Sequence, residues 1–148
     1  DIAVNIKAGQ PPADVLAEQQ RLARTDALVL VYPVYWWSFP ALLKGWIERV
    51  FTQGWAYEEH ADGTLVKKLG HLPVHLVALG GATLRTYARH GYFGAMRTQI
   101  EHGIFDYCGA PVASSTLLLA SDDGYPDSAL ASARGIGRRI AETVAVPA

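Results

Sequence analysis

The chain has 148 residues, half of them apolar and 18% charged, and its 13 Lys and Arg against 14 Asp and Glu leave a net charge of −1. That length fits one domain able to bury roughly 70% of the surface its unfolded chain exposes, so neither a disulfide nor a metal is needed to hold it together. So balanced a charge argues against a nucleic-acid partner, and the single cysteine, Cys108, cannot close an internal disulfide. Neither a leader pattern nor an apolar run of about 18 residues stands out, so no membrane insertion is expected and a reducing cytoplasm is the expected location.

Pro11 and Pro12 precede Asp14 to Arg24, where Val15, Leu16, Gln19, Leu22 and Ala23 recur near helical spacing; this predicts the first helix. Ala27 to Tyr32 (ALVLVY) is an apolar run without alternation, as expected of a strand buried on both faces of a parallel sheet. The next helix is expected to begin near Ser38 as N-cap, with Pro40 in its first turn and an apolar stripe of Leu43, Trp46, Ile47 and Val50. Lys44, Glu48 and Arg49 then fall on the wet face. The segment from Trp55 to Leu72 is too long for a tight connection and contains the turn-forming ADGT, which marks it as an excursion.

Val74 to Leu79 (VHLVAL) reads as a second buried strand ending at Gly80 and Gly81, and a helix is predicted from about Gly94 to Tyr107, stopped by Gly109. Val112 to Leu119 is a third strand, and Asp127 to Val144 a closing helix. Strands alternating with helices imply an α/β fold, a parallel sheet covered on both sides.

In such sheets ligands bind outside the carboxyl ends of the strands, and two aromatic-rich loops, 33 to 40 and 79 to 93, leave from carboxyl ends. Together they carry Tyr35, Trp36, Trp37, Phe39, Tyr87, His90, Tyr92 and Phe93, a concave aromatic surface suited to a planar ring system. Taken singly, aromatics at strand ends are most often core or interface residues, and a histidine beside a tyrosine is most often a satisfied polar pair. Cys108 reads as a small core residue, Glu58, Glu59, Lys67 and Lys68 as solvated charge, and the scattered histidines suggest no metal.

The string PVYWWSFPALLKGWIERVF, followed by GWAY, resembles the signature of the flavodoxin-like NAD(P)H:quinone reductase family, in which a P-x-x-W-[WFY]-x-x-P-A-x-L-K-G-W turn and helix lies against the flavin. GGATLRTYARHGYFGAMRTQIEHGIFDYCG is similar to that family's second flavin loop and the helix after it, and the two stretches cover most of residues 26 to 112. The resemblance implies a flavodoxin-like three-layer αβα sandwich, bound FAD or FMN, and NAD(P)H as co-substrate. It further implies ping-pong hydride reduction of a quinone or related aromatic acceptor. Pro33, Val34, Tyr35, Trp36 and Trp37 would contact the isoalloxazine, with amides near Trp36 and Trp37 donating to its N5 and O4 side and the indole of Trp36 against the ring. Leu79, Gly80 and Gly81 would approach the pyrimidine end, although Ala78 and Leu79 replace the threonines that often precede the glycine pair. His90 and Tyr87 would stabilise the negative charge that develops over N1 and O2. The family is typically homodimeric, which would make Trp55, Tyr57 and Tyr107 aromatic walls presented to the partner's substrate slot.

Members of that family begin with a strand, a phosphate-cradling loop and a helix, whereas this sequence opens at DIAVNIKAGQPP. We therefore expect a single flavodoxin-like domain over residues 1–148 that is a piece of a longer protein, lacking the first β-α-β unit and with it the N-terminal part of the sheet. Ile2 to Ile6, or a partner chain, are alternative covers for the sheet edge so exposed. Two other functions stand beside the oxidoreductase: a flavin-binding regulatory subunit of a potassium efflux system, and a noncatalytic degenerate member.

Overall fold

The computed structural model describes residues 10–144. Helix α1 (Ala13–Leu22) leads to strand β1 (Leu28–Pro33) and helix α2 (Ala41–Val50). A small hairpin, β2 (Tyr57–Glu59) and β3 (Leu65–Lys67), forms the excursion, and β4 (Val74–Gly80) follows. Two short helices, α3 (Leu84–His90) and α4 (Tyr92–Met96), run into a π-helical segment, Arg97–Asp106, before β5 (Val112–Leu119) and α5 (Asp127–Val144).

The main sheet is parallel throughout, in the order β1-β4-β5. Its register is fixed by Leu28 opposite Val74 through Pro33 opposite Leu79, and by His75 opposite Ser114 through Gly80 opposite Leu119. One face presents Leu30, Tyr32, Leu76 and Ala78 to Ile47 and Val50 of α2 and to Ile100 and Phe105 of the π-helical segment, forming the core. On the other face Val29, Val31 and Val77 line a groove with Ile136 and Ile140 of α5. The layering is therefore helix, sheet, helix, as alternating strands and helices require.

Three sequence expectations are corrected. β1 alternates: Leu30 and Tyr32 are buried, but Val29 is 43% and Val31 64% exposed, because β1 ends the sheet among the described residues and α5 covers that face only partly. Central β4 is buried on both faces, as expected. The N-cap of α2 is Pro40, not Ser38, and the third helical stretch starts at Leu84, ten residues before Gly94. Ile2 to Ile6, considered as cover for the sheet edge, lie outside the described residues. Gly109 ends the helical stretch at φ +81, a left-handed conformation that favours glycine.

Candidate active site

The two loops are neighbours because their strands are. β1 and β4 pair in parallel up to their last residues, and the Val34 amide donates to the Leu79 carbonyl at 2.8 Å, tying the loops together at their roots. Beyond that bond each loop takes a different course.

The first loop is a tight two-residue hairpin. Tyr35 and Ser38 exchange backbone hydrogen bonds of 3.1 and 3.0 Å, leaving Trp36 and Trp37 at the tip with φ of +49° and +61°. A two-residue connection with both central residues at positive φ ordinarily calls for Asn and Gly; two tryptophans there cost about 1–3 kcal/mol each. Such strain persists only where the surroundings impose it. Here the root is fixed by β1, and the Ser38 hydroxyl donates to the Gln99 side chain of the π-helical segment. That second use of Ser38 explains why it does not cap α2. Among the described residues the Trp36 and Trp37 amides have no backbone acceptor. Trp36 is 92% exposed, whereas the Trp37 ring stacks on Tyr92 at 3.4 Å.

The second loop is relaxed and anchored. Thr83 caps α3 by accepting from the Thr86 amide, and Gly91 at φ +70 turns the chain into α4. Tyr87 is 1% exposed, its ring edge-on to Trp37 at 5.4 Å and tilted against Phe93 at 5.3 Å. Gly80 lacks a side chain for a local reason: a Cβ there would lie 2.6 Å from the Tyr87 hydroxyl and 2.7 Å from Leu119 Cδ2. Gly81 is open, with nothing within 4 Å of its would-be Cβ, and like Ala82 it has no backbone acceptor for its amide among the described residues. His90 is exposed at the end of α3 and stacks on Tyr92 at 5.3 Å. Burial raises the Tyr87 phenol above its ordinary pKa, so it remains a protonated donor at neutral pH.

The rings sort into three clusters. Trp37, Tyr87, His90, Tyr92 and Phe93 surround the loops. Phe39, placed in the slot on sequence grounds, is only 5% exposed and belongs to the core cluster with Tyr32, Phe51 and Phe105. Tyr57 and Tyr107 make an edge contact of their own at 5.1 Å, and Trp55 packs on Phe51 at 6.0 Å. Among the described residues no ring pair joins Trp55, Tyr57 or Tyr107 to Trp37, Tyr87, His90, Tyr92 or Phe93. Tyr92, which sequence reasoning counted in the concave aromatic surface but gave no individual role, is the ring connecting Trp37 to His90; its position two residues after His90 was the available signal.

The arrangement can hold a flat, acceptor-edged ring. Two pairs of free amides, Trp36 with Trp37 and Gly81 with Ala82, rise from adjacent strand ends, and the open face at Gly81 leaves room for close backbone approach. A flavin ring fits this donor set: its N5, O4, N3 and O2 edge requires mostly donors and its faces require apolar contact. Cys108 is buried, and that burial pushes its thiol up to about 11, which suits a core residue rather than a redox thiol. Among the described residues no His, Cys, Asp and Glu are grouped to hold a metal, and no helix is long and apolar enough to cross a membrane.

Comparison with known proteins agrees with this fold. Residues 2–139 match the family described as flavodoxin-like fold. NAD(P)H dehydrogenase [quinone] 1 of Rattus norvegicus is 30% identical over 141 residues, covering 93% of this chain and 51% of the relative. Among solved structures, an NAD(P)H:quinone oxidoreductase from Methanothermobacter marburgensis superposes with a TM-score of 0.75 at 30% identity, over 90% of this chain and 68% of that one. General stress protein 14 of Treponema denticola, solved in complex with FMN, gives a TM-score of 0.65 at 30% identity, over 89% of this chain and 74% of that one. The chain spans about half the length of the curated relatives it matches. It belongs to the flavodoxin-like family, with homologues among the quinone reductases.

Proposed function

We propose that this member of the flavodoxin-like family carries the ring-binding site of a flavin-dependent NAD(P)H:quinone oxidoreductase. The observation that supports it best is the convergence of free amides from two loops at the carboxyl ends of β1 and β4, one loop held by its neighbours in a strained turn that a stabler turn sequence would avoid.

In this reading Pro33, Val34, Tyr35, Trp36 and Trp37 hold one edge of the isoalloxazine by backbone contact, the exposed Trp36 indole lies against the ring, and Leu79, Gly80 and Gly81 hold the other edge. The bound flavin, FMN or FAD, supplies hydride acceptance and donation. The protein orients it, excludes water and tunes it. Tyr87 donates a hydrogen bond across the Gly80–Gly81 bend, and His90, exposed at the rim, gives or takes a proton near the same edge. The open face admits NAD(P)H and then a quinone or similar aromatic acceptor in turn. A second copy in a homodimer presents Trp55, Tyr57 and Tyr107 as the far wall, and the cytoplasm supplies the reduced nicotinamide.

The test is NADPH and NADH oxidation by flavin-loaded protein with menadione as acceptor. The reading predicts menadione-dependent turnover, lowered by His90→Ala with flavin retained and lowered by Trp36→Ala with flavin loosened. Flavin retention without turnover, or identical behaviour of the two variants, contradicts it.

A further inference from the structure

The face of the sheet that carries the core holds a second concavity, which touches the second loop only at its last residue, Phe93. It is a cavity of about 340 Å³ between the sheet and the π-helical segment, floored by Leu76, Ala78, Ile100 and Leu117. Tyr32 and Glu101 line it as well, and none of residues 33–37 or 79–81 does.

Tyr32 is 3% exposed, its ring edge-on to Phe39 at 4.5 Å, and its hydroxyl has no partner among the described residues. The only fully buried side-chain polar atom left without a partner among those residues is Arg49 Nε, so the Tyr32 hydroxyl keeps some accessible surface, and the cavity that Tyr32 lines is where that surface lies open. Burial, reinforced by the Glu101 carboxylate, pushes this phenol up to about 12. A hydroxyl that is accessible only from within a cavity is completed there by water or by a ligand that offers it a partner.

The cavity's chemistry narrows what completes this one. It is larger than the roughly 150 Å³ that accommodates benzene, and its floor is aliphatic. Arg97 stands 3.6 Å from Glu101 and is itself 81% exposed, so the mouth is close to neutral and offers a carboxylate as acceptor. An anionic ligand would meet Glu101, and a hydrocarbon would leave the Tyr32 hydroxyl unpaired. One amphoteric hydroxyl on an aromatic ring satisfies both, donating to Glu101 and accepting from Tyr32. We propose that this cavity binds a neutral one-ring aromatic alcohol, of the phenol class, at a site separate from the flavin slot.

The test titrates phenol and, separately, toluene into the intact chain, followed by ligand-observed NMR and by thermal unfolding. Saturable phenol binding in the millimolar range that raises the unfolding temperature is expected. Tyr32→Phe should weaken phenol about fivefold, the worth of one hydrogen bond, and leave toluene unchanged, which also shows the variant folded. Ser115→Phe, at the rim on β5, should fill the cavity and abolish both. The proposal is overturned by absence of saturable phenol binding, by equal phenol affinity in Tyr32→Phe, or by displacement of phenol with riboflavin. Failure of riboflavin itself to bind would count against the flavin reading and leave this site standing.

Discussion

The two loops that leave β1 and β4 reach one place by opposite means. The first stores strain: two tryptophans at positive φ, one stacked on Tyr92 and the other almost wholly in solvent. The second relieves it, with a capped helix, a glycine at the left-handed turn and a fully buried tyrosine as anchor. A loop selected for stability alone would resemble the second. Under the proposed reading both loops present backbone donors, the first from a strained turn and the second from a bend anchored by Tyr87.

Removing the anchor should break the contrast most severely. Tyr87→Ala deletes a buried ring that touches Trp37, Tyr92 and Phe93, and is expected to lower stability by about 3–5 kcal/mol in urea unfolding. Next comes the glycine pair. Gly80→Ala forces a Cβ against the Tyr87 hydroxyl and Leu119 and should cost about 1–3 kcal/mol, part of it recovered when combined with Tyr87→Phe. Gly81→Ala meets nothing and should change stability by less than about 0.5 kcal/mol while weakening flavin binding. Calorimetry on the three variants separates a packing role from a binding role.

The first loop should behave in the reverse sense. Trp36→Gly relieves a positive φ and is expected to stabilise the fold by about 1 kcal/mol, at the expense of flavin affinity; a loss of stability would mean that the turn is not strained. Gentlest is the response to alkali. The folded-state pKa of Tyr87 is raised above its unfolded value, so its contribution is fully present below about pH 10 and is lost as pH rises beyond it; Tyr87→Phe should flatten part of that decline in unfolding midpoints.

Much of this was legible before folding. The runs at 74–79, 112–119 and 127–144 are long and bounded by glycine or proline, and all three elements appear at or within a residue of those limits. That both aromatic loops leave the carboxyl ends of strands in a parallel sheet was enough to expect them side by side, as they are. What sequence pattern could not show was where each ring goes. Phe39 and Tyr87 look no different from their neighbours in a list of aromatics, yet one completes the core and the other fills the space left by Gly80. Ser38 has the chemistry of a helix cap, but the hairpin bonds to Tyr35 fix its backbone elsewhere. The exposed side of β1 was hidden for a different reason: ALVLVY is apolar throughout, so it cannot distinguish a face that is covered from one that is not.

The central claim is that the two loops together form a slot for an isoalloxazine ring, and riboflavin, which has the ring without phosphate, isolates that claim. Titration of riboflavin into the protein should quench tryptophan fluorescence saturably and shift the flavin absorbance, with both effects much reduced in Trp36→Ala. Unchanged fluorescence at saturating riboflavin, or equal quenching in Trp36→Ala and the parent chain, would contradict it.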